Sequence, residues 1–166
     1  MTIETMKRGS TIFLQAVIVL IGVGVLAFML SMPHFEGRNK NATVFEIYFK
    51  DPFLAYAYIG SIAFFVALYQ AFKLLGYVAR NAVFSQPSVK ALRTIKYCAV
   101  TLVAFLLGAE AYFFIVMRGT GEDIAGGVMM GLMLIFVATI IGTAAAVFEK
   151  TLQSAVDMKC ENDLTV

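Results

Sequence analysis

Four long apolar stretches, separated by shorter polar segments, dominate the chain. Each is close to the about 20 residues that a helix needs to cross the hydrocarbon core of a bilayer. Apolar and polar residues do not alternate within them, as they would in the strands of a membrane β-barrel. The pattern therefore predicts an all-α membrane protein, in which a single domain, residues 1–166, forms a four-transmembrane-helix bundle. The predicted spans are residues 11–32, 53–72, 97–117 and 124–148.

The basic residues are distributed unevenly over the segments between these spans. The two tails and the loop at 73–96 together carry nine Lys and Arg residues, whereas the loops at 33–52 and 118–123 carry four. Positively charged segments tend to stay on the cytoplasmic side of a membrane. The distribution predicts a multi-pass plasma-membrane protein whose N-terminus and C-terminus both lie in the cytoplasm.

The predicted outer loop at 33–52 contains an amphipathic segment. Phe45, Tyr48 and Phe49 recur at the spacing of one helical face. This favours a short interfacial helix that lies in the outer headgroup layer. A loop that covers the top of the bundle fits the same residues.

The predicted cytoplasmic loop, residues 73–96, indicates a helix that extends beyond the membrane. Ser85 is a suitable N-cap, and Pro87 is tolerated in a first helical turn. From Pro87 the sequence continues without a break into the third span, which predicts a basic helical stalk. Its basic residues are candidates for binding a partner, although the positive-inside bias by itself accounts for an excess of positive charge here. These candidates are Arg80, Lys90, Arg93 and Lys96.

Composition narrows the classes of function. The chain is 60% hydrophobic and only 14% charged, against about 25% charged residues in a typical soluble domain. Its net charge of +2 gives no general basic field, so direct nucleic-acid binding is not expected. Cys98 and Cys160 stand far apart and His34 is the single histidine, which indicates neither a metal site nor a disulfide framework. No catalytic or phosphate-binding motif occurs, and we expect a protein that is not an enzyme and binds no cofactor.

Glu110 is the single charged residue within the four spans. An ionisable group at membrane depth is a candidate functional site, because its desolvation is costly. As such it would be a proton-linked site or a ligand anchor. The alternative is a structural carboxyl, either held protonated or hydrogen-bonded to Tyr56, Tyr58 or Tyr112.

Two features of the spans concern helix packing. Small residues recur four positions apart in two pairs on the fourth span, a spacing that lets another helix approach closely. The neighbour is either a helix of the same bundle or a second copy of the chain in a homodimer. Gln15 and Gln70 lie near the same ends of the first two spans, and we expect them to hydrogen-bond to each other. The two pairs of small residues on the fourth span are Gly127 with Gly131 and Ala138 with Gly142.

Several segments have distinctive sequences: MKRGSTIFL at 6–14, FVALYQAFKLL at 65–75, the motifs FS, SVKAL and IKYCA between 84 and 99, and ENDLTV at 161–166. Together they resemble a bacterial membrane family known as domain of unknown function 2975, which is widespread in Firmicutes. The loop motif between 84 and 99 is the most specific of them. The resemblance implies a four-helix protein of the bacterial plasma membrane, and it assigns no role to the outer loop or to Glu110.

Genes of this family often adjoin a gene for a small helix-turn-helix repressor. By analogy, the resemblance implies an interaction protein that holds or releases such a cytoplasmic DNA-binding regulator at the membrane. The alternative is a small transporter, channel or immunity-type protein that acts through the bundle interior at Glu110. One polar residue at depth is little for a conduction path, which normally brings several polar groups together.

Overall fold

The computed structural model describes residues 3–35, 52–117 and 124–164, which form four α-helices. All four are long and apolar enough to cross a membrane. The predicted all-α architecture with four spans is therefore confirmed. The interfacial helix predicted within 33–52 lies outside the described residues, except that the first helix continues through residues 33–35. The helices are α1 (Ile3–Phe35), α2 (Pro52–Ala79), α3 (Gln86–Ile115) and α4 (Ala125–Leu164).

Consecutive helices run antiparallel and pack in chain order, most extensively α3 against α4 and least extensively α1 against α2. Near one end of the first pair, the side-chain amide of Gln15 donates a hydrogen bond to the carbonyl of Phe72 at 3.2 Å. Near the other end, the hydroxyl of Tyr58 donates to the carbonyl of Met29 at 2.8 Å. The amide of Gln15 thus joins the first two helices, but the expectation that Gln70 is its partner is wrong. A helical carbonyl keeps a second lone pair and serves as the acceptor instead.

Aromatic side chains join α2 to α3 at the end of the bundle away from the termini. The ring of Phe53 stacks on Tyr112 with 5.3 Å between centroids, and it lies 5.2 Å from the ring of Phe113. One turn further along α2, Tyr56 contacts Phe105 at 4.9 Å, and its hydroxyl donates to the carbonyl of Phe105 at 2.8 Å. Aromatic pairs contribute about 0.5–1.5 kcal/mol each beyond their buried area, so this cluster holds the two helix ends together.

α4 is much longer than a membrane crossing requires. Its 40 residues extend about 60 Å at 1.5 Å per residue, twice the about 30 Å of a hydrocarbon core. Its apolar stretch ends at Phe148, so the excess length lies at the C-terminal end. The first turns of α3 extend at the same end of the bundle, and the start of α3 at Gln86 confirms the predicted helical stalk. We call this projecting part, residues 73–96 and 149–162, the terminal module.

A compact apolar cluster holds the terminal module together. It joins the beginning of α3 to the end of α4, and residues from the end of α2 and from the α2–α3 turn pack against it. Val89 in this cluster is only 1% exposed. Burial of each such side chain is worth about 1.5–3 kcal/mol in water, so the module packs like the core of a soluble helical domain. The cluster consists of Val89, Leu92, Leu152 and Val156, covered by Leu74 and Val83.

The turn between α2 and α3 is fixed by hydrogen bonds on both sides. Asn81 has a left-handed backbone with φ of 54°, which its short polar side chain tolerates. The N–H of Ala82 donates to the carbonyl of Tyr77 at 2.9 Å, one of the two bonds of a Schellman motif. The hydroxyls of Ser85 and Ser88 both donate to the carbonyl of Ala82, at 2.7 and 3.2 Å. Ser85 stands at the predicted N-cap position, but its hydroxyl caps no backbone N–H of α3; it bonds to the carbonyl of Ala82 and shares a hydrogen bond with the hydroxyl of Ser88 at 3.2 Å.

One seam of residues joins α3 to α4 from the aromatic end of the bundle to the terminal module. On α4 the seam positions recur mostly at intervals of three and four residues, the period of coiled-coil packing. Glycine and alanine occupy the seam in the middle of α4, and larger residues occupy it in the terminal module. The α4 positions of the seam are Gly127, Gly131, Ala138, Gly142, Ala145, Glu149, Leu152 and Val156.

Candidate functional site

Two of the four basic residues predicted to bind a partner are held by a carboxylate of α4. The Nε atom of Arg93 donates to Oε1 of Glu149 at 2.6 Å, and the Nζ atom of Lys96 donates to Oε2 at 2.6 Å. The side chain of Glu149 is 11% exposed, against 26% for Lys96 and 50% for Arg93. Each carboxylate oxygen thus has its own cation. Hydrogen bonds between ionised groups are roughly twice as strong as neutral ones, so this ion-pair cluster ties α3 to α4 just beyond the apolar span.

Arg80 and Lys90 are placed differently from the other two candidates. Both are exposed, and neither forms an ion pair with another residue of the described ranges. Arg80 follows the last residue of α2, and Lys90 lies in the second turn of α3. The structure therefore divides the four basic candidates into two that pair with Glu149, of which Arg93 is still half-exposed, and two exposed residues that form no ion pair within the described ranges.

Glu149 is the residue of this site that sequence reasoning missed. A single carboxylate directly after an apolar span is an unremarkable end of a membrane helix when it is considered alone. The signal was present in the spacing, since Glu149 lies seven residues after Gly142 and eleven after Ala138. The pattern of Ala138 and Gly142, continued at the coiled-coil period, places Glu149 on the face of α4 that meets α3. The facing part of α3 is the basic stalk.

A groove of about 620 Å³ opens on the terminal module between the α2–α3 turn and the last turns of α4. On one wall Phe84 is 59% exposed, and on the other wall Met158 is 60% exposed. Lys159 adds a positive charge beside them. An apolar surface with a few polar groups is typical of a binding site. The groove is lined by Asn81, Ala82, Phe84, Ser85, Ala155, Met158 and Lys159.

Glu110 lies in the α3–α4 seam, towards the end of the bundle away from the termini. It is only 7% exposed, and a Cβ atom built on Gly131 would overlap its Oε1 atom. Its Oε2 atom is buried without a hydrogen-bond partner among the described residues. The hydroxyls of Tyr56 and Tyr58, two of the expected partners, donate to backbone carbonyls instead. Glu110 is therefore a closely packed carboxyl rather than one wall of an open cavity.

The predicted small-residue positions all lie on the seam with α3. A Cβ atom on Gly127 would lie 3.3 Å from the ring of Phe113, and one on Gly142 would lie 3.1 Å from the Cβ of Ala99. Ala138 is 8% exposed. The close approach that these residues permit is used within the chain, which is the first of the two alternatives that the sequence left open.

Comparison with known proteins identifies the family. The sequence model of DUF2975, described as a protein of unknown function, matches residues 44–166. The chain belongs to the DUF2975 family. It is also 42% identical over 163 residues to the uncharacterized membrane protein YoaS of Bacillus subtilis (strain 168), a similarity that covers 97% of this chain and 100% of the relative. No solved structure gives a significant match to the chain.

The resemblance found in the sequence motifs is thus confirmed. The DUF2975 match contains α2, α3 and α4, and with them the ion-pair cluster, the groove and Glu110. The similarity to YoaS extends over nearly the whole chain. This DUF2975 protein is a membrane protein with four helices suited to span the bilayer. Within the described ranges, no group of three or more His, Cys, Asp or Glu residues is arranged to hold a metal ion.

Proposed function

We propose that this DUF2975 protein is a non-enzymatic multi-pass protein of the bacterial plasma membrane that binds a cytoplasmic partner through its terminal module. The observation that carries the proposal is the module itself, in which α3 and α4 continue past their apolar spans and build a packed core. A protein that merely crosses the bilayer needs no such core. The family resemblance favours a small helix-turn-helix regulator as the partner, so the membrane protein itself need not contact nucleic acid.

The charge distribution supports a cytoplasmic position for the module. The segments at the same end as the termini carry nine of the 13 Lys and Arg residues. The ion-pair cluster neutralises part of this charge only after α3 and α4 have come together. During insertion the full positive charge of the α2–α3 loop is therefore available to keep that loop inside.

Labelling of Cys160 tests this orientation. Cys160 is exposed near the end of α4, whereas Cys98 is partly buried within the third span. A membrane-impermeant maleimide is expected to leave the protein unlabelled in intact cells and to label it after permeabilisation. A Cys160→Ser variant controls for reaction at Cys98. Labelling of Cys160 in intact cells would place the terminal module outside and would overturn the proposal of a cytoplasmic partner.

The exposed charges of the module favour a partner with an acidic surface. Glu149 engages Arg93 and Lys96, while Arg80 and Lys90 remain exposed. Complementary charge at an interface sets specificity and association rate more than it sets affinity. Exposed apolar side chains nearby, Phe84 above all, supply the surface whose burial stabilises a complex.

Charge reversal at Arg80 and Lys90 tests partner binding. Tagged protein, crosslinked and purified in mild detergent from its own host membranes, is expected to carry a stoichiometric cytoplasmic protein. An Arg80→Glu/Lys90→Glu variant is expected to bind that protein about tenfold more weakly, because each reversal replaces an attraction by a repulsion. Lys150→Glu is the control, since Lys150 is also exposed but lies close to the apolar span. Arg93 and Lys96 are unsuitable for reversal because they hold the module together.

The outcomes separate the proposals. If the Arg80→Glu/Lys90→Glu variant binds its partner as well as the unchanged protein does, the proposed basic surface is contradicted. A preparation that contains no stoichiometric cytoplasmic protein would contradict the proposed function itself. In that case Glu110 becomes the main candidate for function.

The alternative function, a small transporter, channel or immunity-type protein, depends on Glu110. Its support is the buried Oε2 atom, which has no partner among the described residues, because such a group at membrane depth is costly to keep. The close packing against Gly131 speaks against a path for solutes at this point. A Glu110→Gln variant that folds and keeps its cytoplasmic partner, but loses a transport or protection phenotype, would favour this alternative.

A further inference from the structure

We infer that the groove between the α2–α3 turn and the end of α4 is the docking site for an acidic amphipathic helix of the cytoplasmic partner. The inference rests on the proposed function and names the surface and the kind of segment that it binds. Its basis is the position of two exposed apolar side chains, the fixed geometry of the groove walls and the charge around them.

Phe84 and Met158 lie well beyond the hydrocarbon core. Met158 is ten residues past the end of the apolar stretch at Phe148, about 15 Å along the helix axis. Phe84 directly precedes the stalk of α3, 13 residues before Tyr97, where the third apolar stretch begins. The headgroup layer adds only about 5–8 Å on each side of the core. Both side chains, 59% and 60% exposed, therefore stand in water, where grouped apolar side chains mark interaction sites.

Both walls of the groove are held in place without a ligand. The carbonyl of Ala82 accepts hydrogen bonds from Ser85 and Ser88, and Ser88 is completely buried. The α4 wall is backed by Leu152 and Val156 of the apolar cluster. Because this surface is already ordered, binding of a partner costs little conformational entropy. This is the advantage of a preorganised site.

The shape of the groove favours a helix over other ligands. Its walls are a helix and a tight turn, and the described ranges contain no β-strand whose edge an extended peptide could join. The two apolar side chains are each more than half exposed, so the groove is open rather than a closed pocket for a small molecule. An amphipathic helix that lays its apolar face into such a groove is a recurring mode of peptide recognition.

The charge around the groove favours acidic residues beside that apolar face. Lys159 lines the groove, and Arg80 is the neighbour in sequence of the lining residue Asn81. The terminal module carries seven Lys and Arg residues against three Asp and Glu residues. Outside the ion-pair cluster of Glu149, Arg93 and Lys96, five basic residues remain against two acidic ones. Like charges on a partner would be repelled, and carboxylates would be attracted.

Photo-crosslinking in the intact protein tests the inference. A photoreactive phenylalanine analogue is placed at Phe84 or at Met158 in the full chain, in its own host membranes, and the crosslinked peptides are identified by mass spectrometry. Both positions are expected to capture one segment with apolar residues at helical spacing and Asp or Glu beside them. Asp157 is the control position, because it is exposed and adjacent to Met158 in sequence but does not line the groove. It is expected to capture that segment at least about fivefold less.

Serine substitution gives the second measurement. The captured segment, made as a synthetic peptide, is expected to bind the purified protein, and Phe84→Ser and Met158→Ser are each expected to weaken binding about tenfold. Crosslinks only to lipid, to a second copy of the chain or to a basic or extended segment would overturn the inference. The inference would also be overturned if the two serine variants bound the peptide as tightly as the unchanged protein does. If the Arg80- and Lys90-dependent partner still copurifies in those cases, the proposed function stands and only the docking site is wrong.

Discussion

A Gly131→Ala variant is expected to be less stable than a Gly126→Ala variant by about 1–3 kcal/mol, the usual range for overpacking a well-packed interface. The Cβ atom added at position 131 would overlap Oε1 of Glu110, whereas a Cβ atom at position 126 would meet nothing within 4 Å. Gly131 lies further inside α4, whereas Gly126 lies in its first turn, so alanine gains at least as much helix propensity at position 131 as at position 126. The difference between the two variants is therefore a lower limit for the cost of the clash in the α3–α4 seam. Thermal or denaturant unfolding in detergent measures it.

Removal of the Glu110 side chain should relieve the clash. A Glu110→Ala/Gly131→Ala variant is expected to recover most of the stability that Gly131→Ala loses, so the two substitutions are strongly non-additive. If Gly131→Ala is as stable as Gly126→Ala, the close approach of Glu110 to α4 is contradicted. If Gly131→Ala lowers the stability and Glu110→Ala does not restore it, the added methyl group clashes with a residue other than Glu110.

Loss of the Glu149 carboxylate is expected to have the second large effect. A Glu149→Ala variant leaves Arg93 and Lys96 side by side on α3 without their shared counter-ion. Hydrogen bonds to charged groups contribute about 1.5–3 kcal/mol, and we expect a loss of about that size in the free energy of unfolding. The expected signature is early opening of the terminal module, seen as faster amide hydrogen exchange around Leu92 and Leu152.

Asp157→Ala is the control for this variant. Asp157 is exposed and accepts a hydrogen bond from Gln153 on the same helix at 2.7 Å, so its loss should change stability by about 0.5 kcal/mol or less. Removing Lys96 alone should cost less than removing Glu149, because the carboxylate keeps Arg93 as a partner. Equal exchange rates in Glu149→Ala and Asp157→Ala would contradict the structural role of the ion-pair cluster.

The helices were predictable because each one is specified locally. Four apolar stretches of membrane-spanning length need no tertiary information, and the start of α3 follows from Ser85 and Pro87 in the sequence. The continuation of α4 beyond Phe148 is also local in origin, since the polar residues that follow contain neither glycine nor proline. The expected family followed from short motifs that the DUF2975 match later confirmed.

The site was less predictable because it depends on which helix faces meet. The four basic residues look alike in the sequence, and only the position of Glu149 on the seam separates Arg93 and Lys96 from Arg80 and Lys90. The acceptor for Gln15 is a backbone carbonyl, a group that every residue carries and that no side-chain pattern reveals. The groove requires the α2–α3 turn to lie beside residues 70 to 78 positions later, a pairing that no local spacing contains.

The composition of the terminal module has a consequence for how the protein is made. Val89 and Leu92, near the start of α3, are synthesised 60 to 67 residues before Leu152 and Val156, which complete their cluster. The module therefore forms only after α4 has been synthesised and has joined α3. A partner that recognises the assembled module would disregard copies in which α4 is missing or unpaired. Binding would then serve as a checkpoint for assembled molecules in the membrane.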